Sequence, residues 1–403
     1  MKHYLLITFT GYILLSCTKS HTLQETPSIK TVNRAVTPSI PNGNNYVLLW
    51  EDQFDGAFLD TSKWRYRAEN TVRGYATILR SNVTMSDSGT VLLAARRNGD
   101  NFTASQIATH ATYLQKYGYF EARCKVNGSL GPHSSFWLQS PTMGQTLNPA
   151  VDGTEIDVFE YHLNNGANII RHNLHWNGYG ADHQSTGAIN TIPGSGTGFH
   201  LFGVEWTPQE YIFYVDGVER WRTSSAVSQR SEFMLLSMEI TGFGGNRFNG
   251  TYPDFLEVDY VRAYQKSLVS NAGFESSSLS PWTSWGGGIS VVADGNALSG
   301  SKAVKATGNA STAAEQVISG LKPNTTYVFG ASAKVSSSGQ AVKLGVKAFD
   351  AAGTELRKDV TSTSYVKNTI TFTTGATHTS SRIFFFKPAS GTAYGDDFFL
   401  YEQ

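Results

Sequence analysis

From Tyr46 onward the chain repeats one pattern: short runs of β-branched and aromatic residues separated by clusters of Gly, Asn, Asp and Ser. No stretch sustains a 3.6-residue hydrophobic period over a helix-length window. Such a chain must bury its apolar faces sheet against sheet, so the expected fold is all-β, of sandwich or jelly-roll type. The clearest unit is Tyr211-Ile212-Phe213-Tyr214-Val215, then Asp216-Gly217, then Val218-Glu219-Arg220-Trp221. The spacing predicts a hairpin closed by a tight Asp-Gly turn. The 23 Phe, 19 Tyr and 39 Gly suit such strands and turns.

At 403 residues the chain suits two domains and a leader. A boundary falls near Lys266, after the strand-like Leu256–Tyr264; beyond it Ser, Ala, Gly and Thr replace most aromatics. Residues 46–265 and 268–403 are therefore read as two β domains, the second smaller. With 32 basic against 32 acidic residues there is no basic field to hold nucleic acid. A neutral, aromatic-rich surface suits uncharged partners with flat apolar faces, such as sugars.

Residues 1–17 read as a signal peptide: Lys2 and His3 precede an apolar run, Tyr4–Leu15, too short to span a bilayer. The run ends in Leu14-Leu15-Ser16-Cys17, which resembles a bacterial lipobox. That resemblance implies a lipidated Cys17, with the protein anchored to the bacterial envelope at the outer membrane or cell surface. Residues 18–45, rich in Thr, Ser, Asn and Pro, read as a flexible tether. The other cysteine, Cys124, lies among apolar neighbours and reads as a small buried hydrophobe.

The most informative segment is Gly153-Thr154-Glu155-Ile156-Asp157-Val158-Phe159-Glu160-Tyr161. As a strand, it puts Glu155 and Asp157 on one face and Ile156 and Val158 on the other. Strict alternation would turn Glu160 into the core, where an unpaired carboxylate is costly. A β-bulge at Val158 and Phe159 returns it to the side of the other two acids. Two carboxyls held about 5–5.5 Å apart are what a retaining glycosidase needs. Crowding keeps one protonated while another stays ionised. An inert exposed acidic strand is the alternative that spacing alone leaves open.

Glu155–Glu160 resembles the active-site motif of glycoside hydrolase family 16 in its longer, bulged form. Trp50-Glu51-Asp52, Tyr117–Arg123, Ser135-Phe136-Trp137-Leu138, Trp206-Thr207-Pro208 and Val258–Arg262 resemble further family motifs in the same order, spanning nearly all of residues 46–265. The resemblance implies a concave jelly roll with Glu155 as nucleophile, Asp157 assisting and Glu160 as acid/base. It implies endo-hydrolysis with retention and no cofactor for catalysis. Trp137, His175 and Asn173 would line the substrate cleft. Asn173 and His175 are read as sharing a face only through a second bulge.

The implied substrate is first a β-1,3- or mixed β-1,3-1,4-glucan. Many laminarinases carry Trp-Pro-Ala before the cleft tryptophan, whereas this chain has His133-Ser134-Ser135. That departure keeps open an algal galactan of agarose, porphyran or carrageenan type, or transglycosylation on the same scaffold. A surface glycan-binding protein is the non-enzymatic alternative. The family also implies a structural calcium at Asp259. In the second domain Leu268–Glu275, Lys322-Pro323-Asn324 and Asp396-Asp397-Phe398 resemble family 4-like carbohydrate-binding modules. That likeness implies a jelly roll with calcium at Glu275 and Asp397, and with Trp285 either stacked on sugar or closing the core together with Trp282. The expected partner is a polysaccharide, the membrane contact is the lipid alone, and the chain is expected to be a monomer.

Overall fold

The computed structural model describes Met1 and residues 46–403; Cys17, the signal peptide and the tether lie outside the described residues. No helix among the described residues is long and apolar enough to cross a membrane.

Strands dominate both domains. In the first, one layer runs Val218–Thr223, Tyr211–Val215, His200–Trp206, Gly118–Lys125 and Asp254–Lys266, with Tyr46–Asp52 on the far edge. The other runs Gln184–Thr191, Ile169–Trp176, Glu155–Tyr161, Pro132–Gln139, Phe233–Ile240 and Asn101–Ala108. The hairpin of Val91–Asn98 and Asn101–Ala108 joins them. All pairs in these layers are antiparallel, as short connections allow. The Tyr211–Val215 hairpin turns through Asp216 and Gly217, both at positive φ (52° and 75°), which a type I′ turn requires.

Apolar residues of both layers meet in one core, including Phe120, Ala122, Cys124, Phe136, Leu138, Ile156 and Val158. Phe159 stacks on Phe202 across the layers, ring centroids 4.0 Å apart. Cys124 is a free, buried thiol in this core.

The second domain is a pair of five-stranded sheets around its own core. Trp282 is 4% exposed and packs there, whereas Trp285 is 46% exposed. The step between domains is short. Lys266 ends the last strand of the first domain, and Leu268 N already donates to Leu400 O at 2.7 Å in the second.

Candidate active site

The acid strand is shaped by its register. Against Pro132–Gln139, Asp157 faces Trp137 and Phe159 faces Phe136, so Val158 is the extra residue. Against Ile169–Trp176, Asp157 faces Asn173 and Glu160 faces Arg171, with the same slip between them. Ile156, Val158, Phe159 and Tyr161 all enter the core as a result. Glu155, Asp157 and Glu160 line the opposite side, on a cleft of about 650 Å³.

Each acid has its own partners. Tyr179 Oη donates a short hydrogen bond to Glu155 Oε2, and Gln139 Nε2 lies 3.4 Å from the same oxygen. Arg67 holds Gln139 Oε1 at 3.0 Å. His175 Nε2 lies 3.4 Å from Asp157 Oδ2 and 4.0 Å from Glu155 Oε1, and its Nδ1 is 2.9 Å from His183 Nε2. Glu160 is gripped from both sides: His133 Nε2 is 3.0 Å from Oε1, and Asn173 Nδ2 donates a short bond to Oε2.

The electrostatics separate the three carboxyls. Burial, then the charge of Asp157, pushes Glu155 up to about 8, against the bond from Tyr179. Burial and the charge of Glu160 drive Asp157 well above the usual carboxylate range. Burial would raise Glu160 too, but the hydrogen bond and charge of His133 win and take it down to about 2. The wall therefore keeps a proton on the Glu155–Asp157 side while Glu160 is ionised. With that proton on Asp157, the neighbouring negative charge disappears and Glu155 ionises more readily.

Trp137, His175 and Asn173 all line the cleft. Trp137 Nε1 donates to Ser237 Oγ at 3.1 Å, and the Arg67 guanidinium covers its ring at 5.1 Å. The second bulge expected near Asn173 is absent. Ile169–Trp176 pairs in unbroken register with Gln184–Thr191, and residues two apart share a face by plain alternation. Gly187 sits opposite Asn173, where a Cβ would come within 2.0 Å of Asn173 Oδ1.

The structure adds cleft residues that the sequence reading did not assign: His133, Gln139, Tyr179, His183 and Phe243. His133 shares a strand face with Ser135 and Trp137, so alternation could have found it. Tyr179 and Phe243 stand on connecting segments, where no period reports direction.

The implied calcium ligands differ. Asp259 pairs one carboxylate oxygen, Oδ2, with Arg123 Nη1 at 2.6 Å. Glu275 and Asp397 line a second pocket, of about 910 Å³. Glu275 accepts hydrogen bonds from Ser301 and Lys302, and Asp397 from Ser299. Buried Asp396 beside them is pushed up to about 6, by burial and then by the charge of Asp397. An acidic, oxygen-only set under that pressure fits calcium.

Comparisons place these features in context. Residues 71–249 match the family described as glycosyl hydrolases family 16, and residues 266–391 match a carbohydrate binding domain. A keratan-sulfate endo-1,4-beta-galactosidase of Sphingobacterium multivorum is 33% identical over 97% of this chain and 96% of its own length. A beta-glucanase of Rhodothermus marinus is 26% identical over 55% of this chain and 86% of its own length. A kappa-carrageenase of Pseudoalteromonas carrageenovora is 25% identical over 58% of this chain and 68% of its own length.

Proposed function

Since this chain belongs to glycosyl hydrolases family 16 and is an endo-glycosidase of β-linked polysaccharide, we propose that it cleaves a β-1,4-galactosidic glycan of keratan-sulfate type, with retention. The observation that carries the chemistry is the bulge that sets Glu155, Asp157 and Glu160 on one cleft wall.

Glu155 attacks the anomeric carbon, and Glu160 protonates the departing glycosidic oxygen. The glycosyl–Glu155 ester forms as the glycosidic bond breaks. Glu160, now a carboxylate, then takes a proton from water as that water displaces Glu155. Asp157 holds a proton beside Glu155, which keeps the nucleophile ionised and stabilises it as a leaving group.

The substrate reading draws on two further features. Likeness to the galactosidase runs through both domains, whereas likeness to the glucanase is confined to about half of the chain. His133 stands where many laminarinases carry a large aromatic residue, and Arg73 and Arg171 line the cleft as cations suited to sulfate esters. The test is product analysis of residues 18–403 against keratan sulfate, laminarin, mixed-linkage glucan, agarose, porphyran and carrageenan, with Glu155→Gln alongside. Oligosaccharides from keratan sulfate alone, absent with the variant, are expected. Release from laminarin instead would return the substrate to a β-glucan.

Two other features belong to the same reading. A calcium ion at Glu275 and Asp397 would be structural, tying the start of the second domain to its last strand. Lipidation of Cys17 would hold the enzyme at the envelope; fatty-acid labelling that vanishes in Cys17→Ser tests it.

A further inference from the structure

We infer that His133 is a positioning residue that stores the proton used by Glu160, so that the acid/base of this cleft is the His133–Glu160 pair. This rests on the role given to Glu160 above.

The geometry is specific. His133 lies on Pro132–Gln139, next to the acid strand, with Nε2 3.0 Å from Glu160 Oε1. Its Nδ1 is 3.4 Å from Thr241 Oγ1, so both ring nitrogens have partners and the ring is fixed. It is buried, and the edges of His162 and Phe243 flank it. Asn173 holds the other oxygen of Glu160, which fixes the carboxylate against both neighbours.

The charges around the imidazole come from several strands. Glu160 faces it from the acid strand, and Glu239 stands directly opposite on Phe233–Ile240, paired in turn with Arg73. Arg171 opposes them from the strand beyond Glu160, and Asp157 lies further along the wall. Burial disfavours the imidazolium, but the bond to Glu160 and the charges of Glu160 and Glu239 outweigh it, and the net direction for His133 is up. The adjacent His162 is pushed the other way, to about 4, first by burial and then by His133. One imidazole of the two therefore carries the charge.

This arrangement answers a difficulty in the mechanism. A carboxyl drawn down to about 2 is ionised at neutral pH and has no proton to donate. In the pair, the proton waits on His133. As substrate excludes water, the Nε2–H bond breaks, an O–H bond forms on Glu160, and the ion pair becomes a neutral pair. Glu160 then gives that proton to the glycosidic oxygen as the C–O bond to the leaving sugar breaks and the Glu155 ester forms. In the second half, Glu160 takes a proton from the attacking water and returns it to His133, while the ester bond breaks. Protons and electron pairs balance over the cycle, and no other reactant is needed.

The test compares His133→Gln, which keeps a hydrogen-bond donor but stores no proton, with the wild type and Glu160→Ala. The substrates are keratan sulfate, whose leaving group needs a proton, and 2,4-dinitrophenyl β-galactoside, whose leaving group does not. His133→Gln is expected to lower kcat/KM on keratan sulfate by about 100-fold, within the span of general acid catalysis, and to change the aryl substrate less than about 3-fold. The alkaline limb of the wild-type profile should move to lower pH on warming, as an imidazolium does and a carboxylic acid does not. In His133→Gln that movement should vanish. Equal losses on both substrates, or a wild-type limb unmoved by temperature, would overturn the inference. Glu160→Ala separates the two levels: if it fails to spare the aryl substrate in the presence of azide, the role of Glu160 itself falls. If it behaves as an acid/base variant while His133→Gln resembles the wild type, only the storage role falls.

Discussion

His175 stands directly across the sheet from Glu155, yet its Nε2 lies nearer to Asp157, at 3.4 Å against 4.0 Å. The ring thus reaches over to the central acid. Two carboxyls and an imidazole crowd within 4.8 Å of one another, and such crowding has a cost in the folded state.

That cost is measurable at Glu155. Its folded value, about 8, lies above the ordinary carboxylate value it regains on unfolding. The folded protein therefore holds the proton more tightly, and stability is lost as pH rises from about 4.5 through about 8. Glu155→Gln removes the titration. Its melting temperature is expected to exceed the wild type's by about 3 °C or more at pH 8 and by much less at pH 4, while activity disappears. Thermal melts across that range check the sign.

The bulge gives a second expectation. Inserting one alanine between Phe159 and Glu160 shifts the strand by one residue and turns Glu160 toward the core, so hydrolysis should fall by more than about 1,000-fold. Val158→Ala keeps the extra residue and should cost about 2 kcal/mol of stability while activity persists. Chemical denaturation and rate assays on both variants separate lost register from lost packing.

Gly187 offers a third. An added Cβ would collide with Asn173 Oδ1 at 2.0 Å and with the carbonyl oxygen of His172 at 2.6 Å. Gly187→Ala should therefore pull Asn173 from Glu160 and lower kcat about tenfold, equivalent to one charge-assisted hydrogen bond. The double variant with Asn173→Ala should lose little more than Asn173→Ala alone. A double-mutant cycle on kcat is the measurement.

The acidic crowd at Glu275, Asp396 and Asp397 gives a fourth. Chelation should lower the melting temperature by about 3 °C or more, and added calcium should restore it. In Asp397→Asn that response should shrink. Scanning calorimetry with and without chelator decides it.

The acid strand could be read from its letters because Ile156, Val158 and Phe159 are apolar while the residues flanking them are charged. Only one added residue reconciles that pattern with a half-buried strand. The same reasoning went astray at Asn173 and His175, where ordinary alternation suffices. Alternation with Trp137 puts His133 on the cleft face, but its bond to Glu160 comes from a neighbouring strand, and pairing is not written in local sequence. Tyr179 reaches Glu155 from a turn, beyond any periodic signal. Nor does local sequence show that Arg123, 136 positions away, donates to the Asp259 carboxylate.

The join between domains has a mechanical consequence. Buried Ser267 accepts from Val269 N and Leu400 N, both at 3.2 Å, and so fastens the crossing point to the final strand. With so little slack, torque on one body passes to the other, and a spacer inserted there would free the two to swivel.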